Sequence, residues 1–124
     1  MTRYWTAAAL LSLLLAMTAH AEDELKPVDF CTDLSLVANQ VMKARQRDRP
    51  MSETLPMAKN RIKSWGDKYG LEMDMDEAEE MAAEMVMAAY EEMISTDAYK
   101  KQTTTEFENA FFKQCYEEAT SDSN

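Results

Sequence analysis

From Asp29 to Arg47 the apolar positions recur three and four apart, with Phe30, Leu34, Val37, Val41 and Ala44 on one stripe and Cys31, Ala38, Met42 and Arg45 beside it. That spacing is the 3.6-residue period of a helix with one buried face. A break is expected over 48–50, because the residue before Pro50 disfavours helical torsions. A second helix is expected to open at Ser52 as its N-cap, carrying Pro56 in its first turn and Met57, Ile62 and Trp65 inward, and to stop at Gly66. The stretch 67–73, containing Gly70, reads as a connection. Asp74 or Asp76 then caps a long third helix, whose Ala78, Met81, Ala82, Met85, Val86, Ala89, Tyr90, Met93 and Ile94 keep helical spacing. Ser95 or Thr96 caps a fourth, with Tyr99, Thr103, Phe107, Ala110, Phe111 and Cys115 on one face. Two glycines and three prolines in 124 residues agree with an all-α fold. The expected architecture is a small up-down four-helix domain over 29–119, with an extended lead at 22–28 and a polar tail at 120–124.

The first 21 residues stand apart. Arg3, an apolar run from Ala7 to Ala16 and the end Ala19-His20-Ala21 match a removable signal peptide. No later apolar run reaches about 18 residues, so membrane insertion after cleavage is not expected. The compartment implied is periplasmic or secreted, most simply the bacterial envelope. Two cysteines in an exported chain imply one disulfide, Cys31 to Cys115. In an up-down bundle those positions fall at the same end of the molecule.

Cleavage at Ala21 removes the only histidine, His20, and leaves 12 bases against 23 acids, a net charge of −11. A chain without histidine has no Ser-His or Cys-His nucleophile and no histidine-ligated metal. Its acidity argues against nucleic acid, whose phosphates require a basic excess. No catalytic residue, cofactor or metal site is expected. The charge is also segregated. Eight bases and three acids occupy 34–68, whereas ten acids and no base occupy 69–99. These runs are either solvated faces whose fields partly cancel or an acidic surface for a cationic partner.

Methionine is the other excess, with Met73, Met75, Met81, Met85, Met87 and Met93 on or near the third helix. Most occupy core positions, while Met75 and Met87 fall off the stripe. Thioethers also suit Cu(I), and Met-x-Met occurs at 73–75 and 85–87, although residues two apart on a helix diverge. The sequence Asp74-Met75-Asp76 lacks the glycine of a calcium loop and reads as helix capping. Arg45, beside an apolar stripe, either anchors a buried acid or snorkels to solvent.

Cys31, Val41-Met42-Lys43-Ala44-Arg45-Gln46, Met51-Ser52-Glu53, Ala88-Ala89-Tyr90-Glu91, Phe107-Glu108-Asn109 and Gln114-Cys115-Tyr116 follow one another along the chain. In that order they resemble a group of uncharacterised small exported two-cysteine proteins of bacteria and phages. The resemblance implies a helical disulfide-bonded domain and no particular activity. The chain departs from the group's pattern at 48–50, where a glycine turn is usual, and 60–73 reads as an insertion. A looser likeness, of architecture alone, is to HdeA-type periplasmic chaperones, which are small, helical and held by one disulfide.

The expected role is that of a non-enzymatic binding protein with another protein as partner. Its candidate interaction face is Met73, Met75, Asp76, Glu80, Glu84, Met87 and Glu91. The alternatives are an acid-activated chaperone, opened when its carboxylates protonate, and methionine-based copper binding.

Overall fold

In the computed structural model, which describes residues 26–121, Pro27 opens the first helix, α1, Pro27–Gln46. Proline suits that place because the first helical N–H has no intrahelical acceptor, and Asp29 in the first turn with Lys43 and Arg45 in the last favour the helix dipole. Helix therefore already occupies positions 27 and 28 of the expected extended lead. The expected signal peptide, residues 22–25 and 122–124 lie outside the described residues.

At the end of α1 the N–H of Asp48 bonds the Arg45 carbonyl at 2.9 Å and that of Arg49 bonds Ala44 at 3.0 Å. This is a Schellman stop, and it places Asp48 at φ 59°, the left-handed region usually left to glycine. Aspartate tolerates that torsion better than most side chains.

The second helix, α2, spans Met51–Lys68, with Pro50 as its N-cap. Ser52 is inside it and Pro56 falls in its second turn, on the exposed side, where the missing N–H costs least. Gly66 does not end it. The stop is another Schellman turn, with Gly70 at φ 75° and the Leu71 N–H on the Gly66 carbonyl at 2.8 Å. Gly66 instead admits Met73, since a Cβ there would meet Met73 Cε at 3.2 Å.

The third helix, α3, spans Met75–Tyr90 and opens with a capping box. The Glu77 N–H donates to Asp74 Oδ1 at 2.8 Å, and the Asp74 N–H donates to Glu77 Oε1 at 3.0 Å. The helix ends at Tyr90, short of the expected Ile94. Glu91 and Glu92 oppose the negative end of its dipole, and α1 competes for the following backbone. Arg45 Nε donates to the Glu92 carbonyl at 2.9 Å, and Gln46 accepts the Ser95 N–H at 2.7 Å and donates to the Met93 carbonyl at 3.3 Å. Met93 and Ile94, expected in the core, are consequently exposed. A 3-10 turn, Asp97–Tyr99, leads into α4, Lys100–Thr120. Tyr99 belongs to that exposed turn and not to the α4 core face.

Successive helices run antiparallel. Trp65 near the end of α2 donates its indole N–H to the Phe30 carbonyl at the start of α1 at 3.0 Å, and Thr54 near the start of α2 bonds Tyr90 at the end of α3 at 2.7 Å. The central helix is α1, packed on α2, α3 and α4, while α2 also packs on α3. The core between them holds Phe30, Leu34, Val41, Met42, Ile62, Met81, Met85, Val86 and Phe107 at 1% exposure or less. Cys31 and Cys115 form the expected disulfide, with their Cα atoms 5.6 Å apart and both residues buried. No helix among the described residues is long and apolar enough to cross a membrane.

Candidate functional site

At 100° per residue, Asp76, Glu80, Glu84, Met87 and Glu91 fall within one side of α3 and its C-cap. They lie opposite Ala78, Met81, Ala82, Met85 and Ala89, which enter the core. Asp76, Glu80 and Glu91 are exposed, Met87 is 55% exposed and Glu84 is half-buried. Four carboxylates and one thioether thus share an outward stripe. The ions that α3 does neutralise lie elsewhere, since Lys59 of α2 reaches Glu79 at 3.4 Å.

The two remaining residues of the expected face are not on that stripe. Met73 is 3% exposed and packs over Gly66, so it is core. Met75 is 41% exposed but stands four residues before Glu79, on the side of α3 that turns toward α2. Each Met-x-Met pair is likewise divided between core and solvent, Met73 from Met75 and Met85 from Met87. That division gives neither pair two sulfurs facing one ion.

Glu84 is the chemically unusual member. Its Oε1 is shut off from solvent and accepts no hydrogen bond, which is costly for a charged carboxylate. Desolvation, and secondarily the Glu80 charge one turn before, raise its pKa above the ordinary glutamate value. A cation brought to this stripe would offset the Glu80 charge, the lesser of the two causes.

Asp33 of α1 presents the opposite case. Lys68 Nζ donates to its Oδ2 at 2.7 Å and the Tyr69 hydroxyl at 2.6 Å, holding the carboxyl below its usual range. Burial and the same aspartate push the Tyr69 hydroxyl well up. This trio ties α1 to the end of α2 and is structural. Arg45 takes neither expected role, since besides bonding the Glu92 carbonyl it stacks over Tyr90 at 5.1 Å.

Two surface features were not legible in the sequence. A shallow groove of about 650 Å³ between α1 and α2 is lined by Leu36, Val37, Met57 and Trp65, with Arg61 and Lys68 at its polar margin. A second cleft, of about 400 Å³ between α1 and α4, brings together Lys43, Arg47, Lys100 and Lys101. Its cations come from segments more than fifty residues apart, so no local run of charge marks it. No family model, no curated protein and no solved structure matches the chain.

Proposed function

We propose that the protein is an exported, non-enzymatic binding protein that holds a cationic segment of another protein against the outward stripe of α3. The observation that carries this reading is the row Asp76, Glu80, Glu84 and Glu91 around an exposed Met87, none of whose carboxylates forms an ion pair among the described residues. Methionine supplies an adaptable apolar contact, and the carboxylates supply attraction that weakens as salt shortens its reach. The test is affinity capture from a bacterial envelope extract at low salt, with wild type beside a Glu80→Lys/Glu84→Lys variant. Wild type is expected to retain a basic partner, released by about 0.5 M salt, where screening acts within a few ångströms. The variant is expected to retain none while melting normally. Equal capture by both, or none by wild type, removes the proposal.

A second reading, an acid-activated chaperone, draws support from Asp33. Its lowered pKa means that its contribution to stability is complete above the unfolded carboxylate value and lost as pH falls through the lowered one. Glu84 acts with the opposite sign, because its raised pKa makes protonation a relief as pH falls through the raised value. General protonation of 23 acids in a chain with 13 bases adds self-repulsion. Suppression of client aggregation should then begin only below about pH 4, where carboxylates protonate. Equal suppression at neutral pH, or none in acid, excludes the mechanism.

A further inference from the structure

We propose that the cleft between the end of α1 and the start of α4 binds a small phosphate-bearing anion. This site is separate from the α3 stripe and independent of its role. In a chain of net charge −10, four of the 13 bases line one cavity of about 400 Å³, and no carboxylate lines it. That volume fits a phosphorylated small molecule or a single headgroup.

Lys43, Arg47 and Lys101 have no ion-pair partner among the described residues. Lys100 donates to the Gln46 carbonyl at 2.8 Å, which fixes its ammonium at the cleft wall, and its contact with the fully exposed Asp97 is long, at 3.6 Å. Asn39 bonds Glu108 at 2.9 Å, and Glu108 is not part of the lining. Arg49, just beyond the helix, is engaged by Glu53 at 3.7 Å and is not part of the site. The first two turns of α4 form one wall, so the positive end of that helix dipole adds to the same potential.

The donor set selects among anions. Three ammonium groups act as point charges from two walls, and one guanidinium and the Thr105 hydroxyl offer directed hydrogen bonds. A tetrahedral group with three or four acceptor oxygens and nearly two charges can meet several of them together. A planar carboxylate is better met by one arginine fork.

Two sources share this chemistry, a soluble phosphate compound and an anionic phospholipid headgroup. The test has two arms on the disulfide-bonded protein. Inorganic phosphate, followed by amide NMR, is expected to give saturable shifts at Lys43, Arg47 and 100–105, with a dissociation constant of about 1 mM or tighter. Cosedimentation with phosphatidylglycerol vesicles, against phosphatidylcholine vesicles, reads the headgroup. The variant Lys43→Ala/Lys101→Ala should lose binding at least about tenfold, while Arg61→Ala/Lys113→Ala, which removes the same charge elsewhere, should keep it. Selective retention on the phosphatidylglycerol vesicles supports the site with a headgroup as ligand, and phosphate shifts without retention support it with a soluble one. No saturable response in either arm, or equal loss in both variants, overturns the site.

Discussion

Reduction of the Cys31–Cys115 bridge is expected to lower the melting temperature by about 20 °C or more. The bond closes a loop with a sequence separation of 84, and a loop of that length restrains the unfolded chain by about 4.5 kcal/mol in the chain-entropy model. Net stability of a domain this size lies at about 5–15 kcal/mol, so the bridge is a large fraction of the whole. At about 4–8 °C per kcal/mol, the shift is easily read by circular dichroism. The packing also says which element responds first. Helix α4 rests chiefly on α1, whereas α2 and α3 are packed on each other as well as on α1. Hydrogen exchange in the reduced protein should therefore accelerate in α4 before α3. A shift below about 5 °C, equivalent to roughly 1 kcal/mol, would show that packing alone holds α4 in place.

The parts of this structure readable from residue order were those with a strong period or a compartment argument behind them. Phe30, Leu34, Val37 and Val41 repeat at helical spacing and are buried, and the cysteines pair. The helix ends were harder, because several signals compete locally and tertiary contacts decide between them. Gly66 and Gly70 both look like stops, but Gly66 is used for the close approach of Met73 and Gly70 for its positive φ. Met93 and Ile94 continue the α3 pattern without a break, yet Arg45 and Gln46, nearly fifty residues earlier, take hold of the backbone at 92–95 and end the helix first. Burial separated the candidate site in the same way. Period alone groups Asp76, Glu80, Glu84, Met87 and Glu91, but Met73 precedes α3 and its fate depended on the space over a distant glycine. The cationic cleft was invisible for a related reason, since Lys43 and Lys101 become neighbours only when α1 and α4 pack.

Phe30→Ala is expected to destabilise the protein by about 3–5 kcal/mol, the range for deleting a fully buried aromatic side chain. Phe30 is 0% exposed, with its ring centroid 4.6 Å from that of Trp65 and 5.3 Å from that of Tyr69, edge-on to the latter. Trp65 remains tethered because its indole N–H donates to the backbone carbonyl of residue 30, which the substitution leaves in place. The cavity therefore cannot close easily, which places the cost high in the range. Denaturant unfolding should report the loss in free energy, and the near-ultraviolet signal of Trp65 should weaken. Phe30→Leu keeps most of the volume and should cost about 1.5 kcal/mol or less. Val28→Ala, two residues earlier and 54% exposed, should change stability by no more than about 0.5 kcal/mol. A loss under about 1 kcal/mol for Phe30→Ala would mean that this end of the core is not the anchor of α2 on α1. Because Phe30 adjoins Cys31, its loss and reduction of the disulfide act on one packed region. If the bridge acts on the unfolded chain, as loop closure has it, the two effects add within about 0.5 kcal/mol; a larger departure, as contacting sites show, means that the bridge also holds the native packing around Phe30.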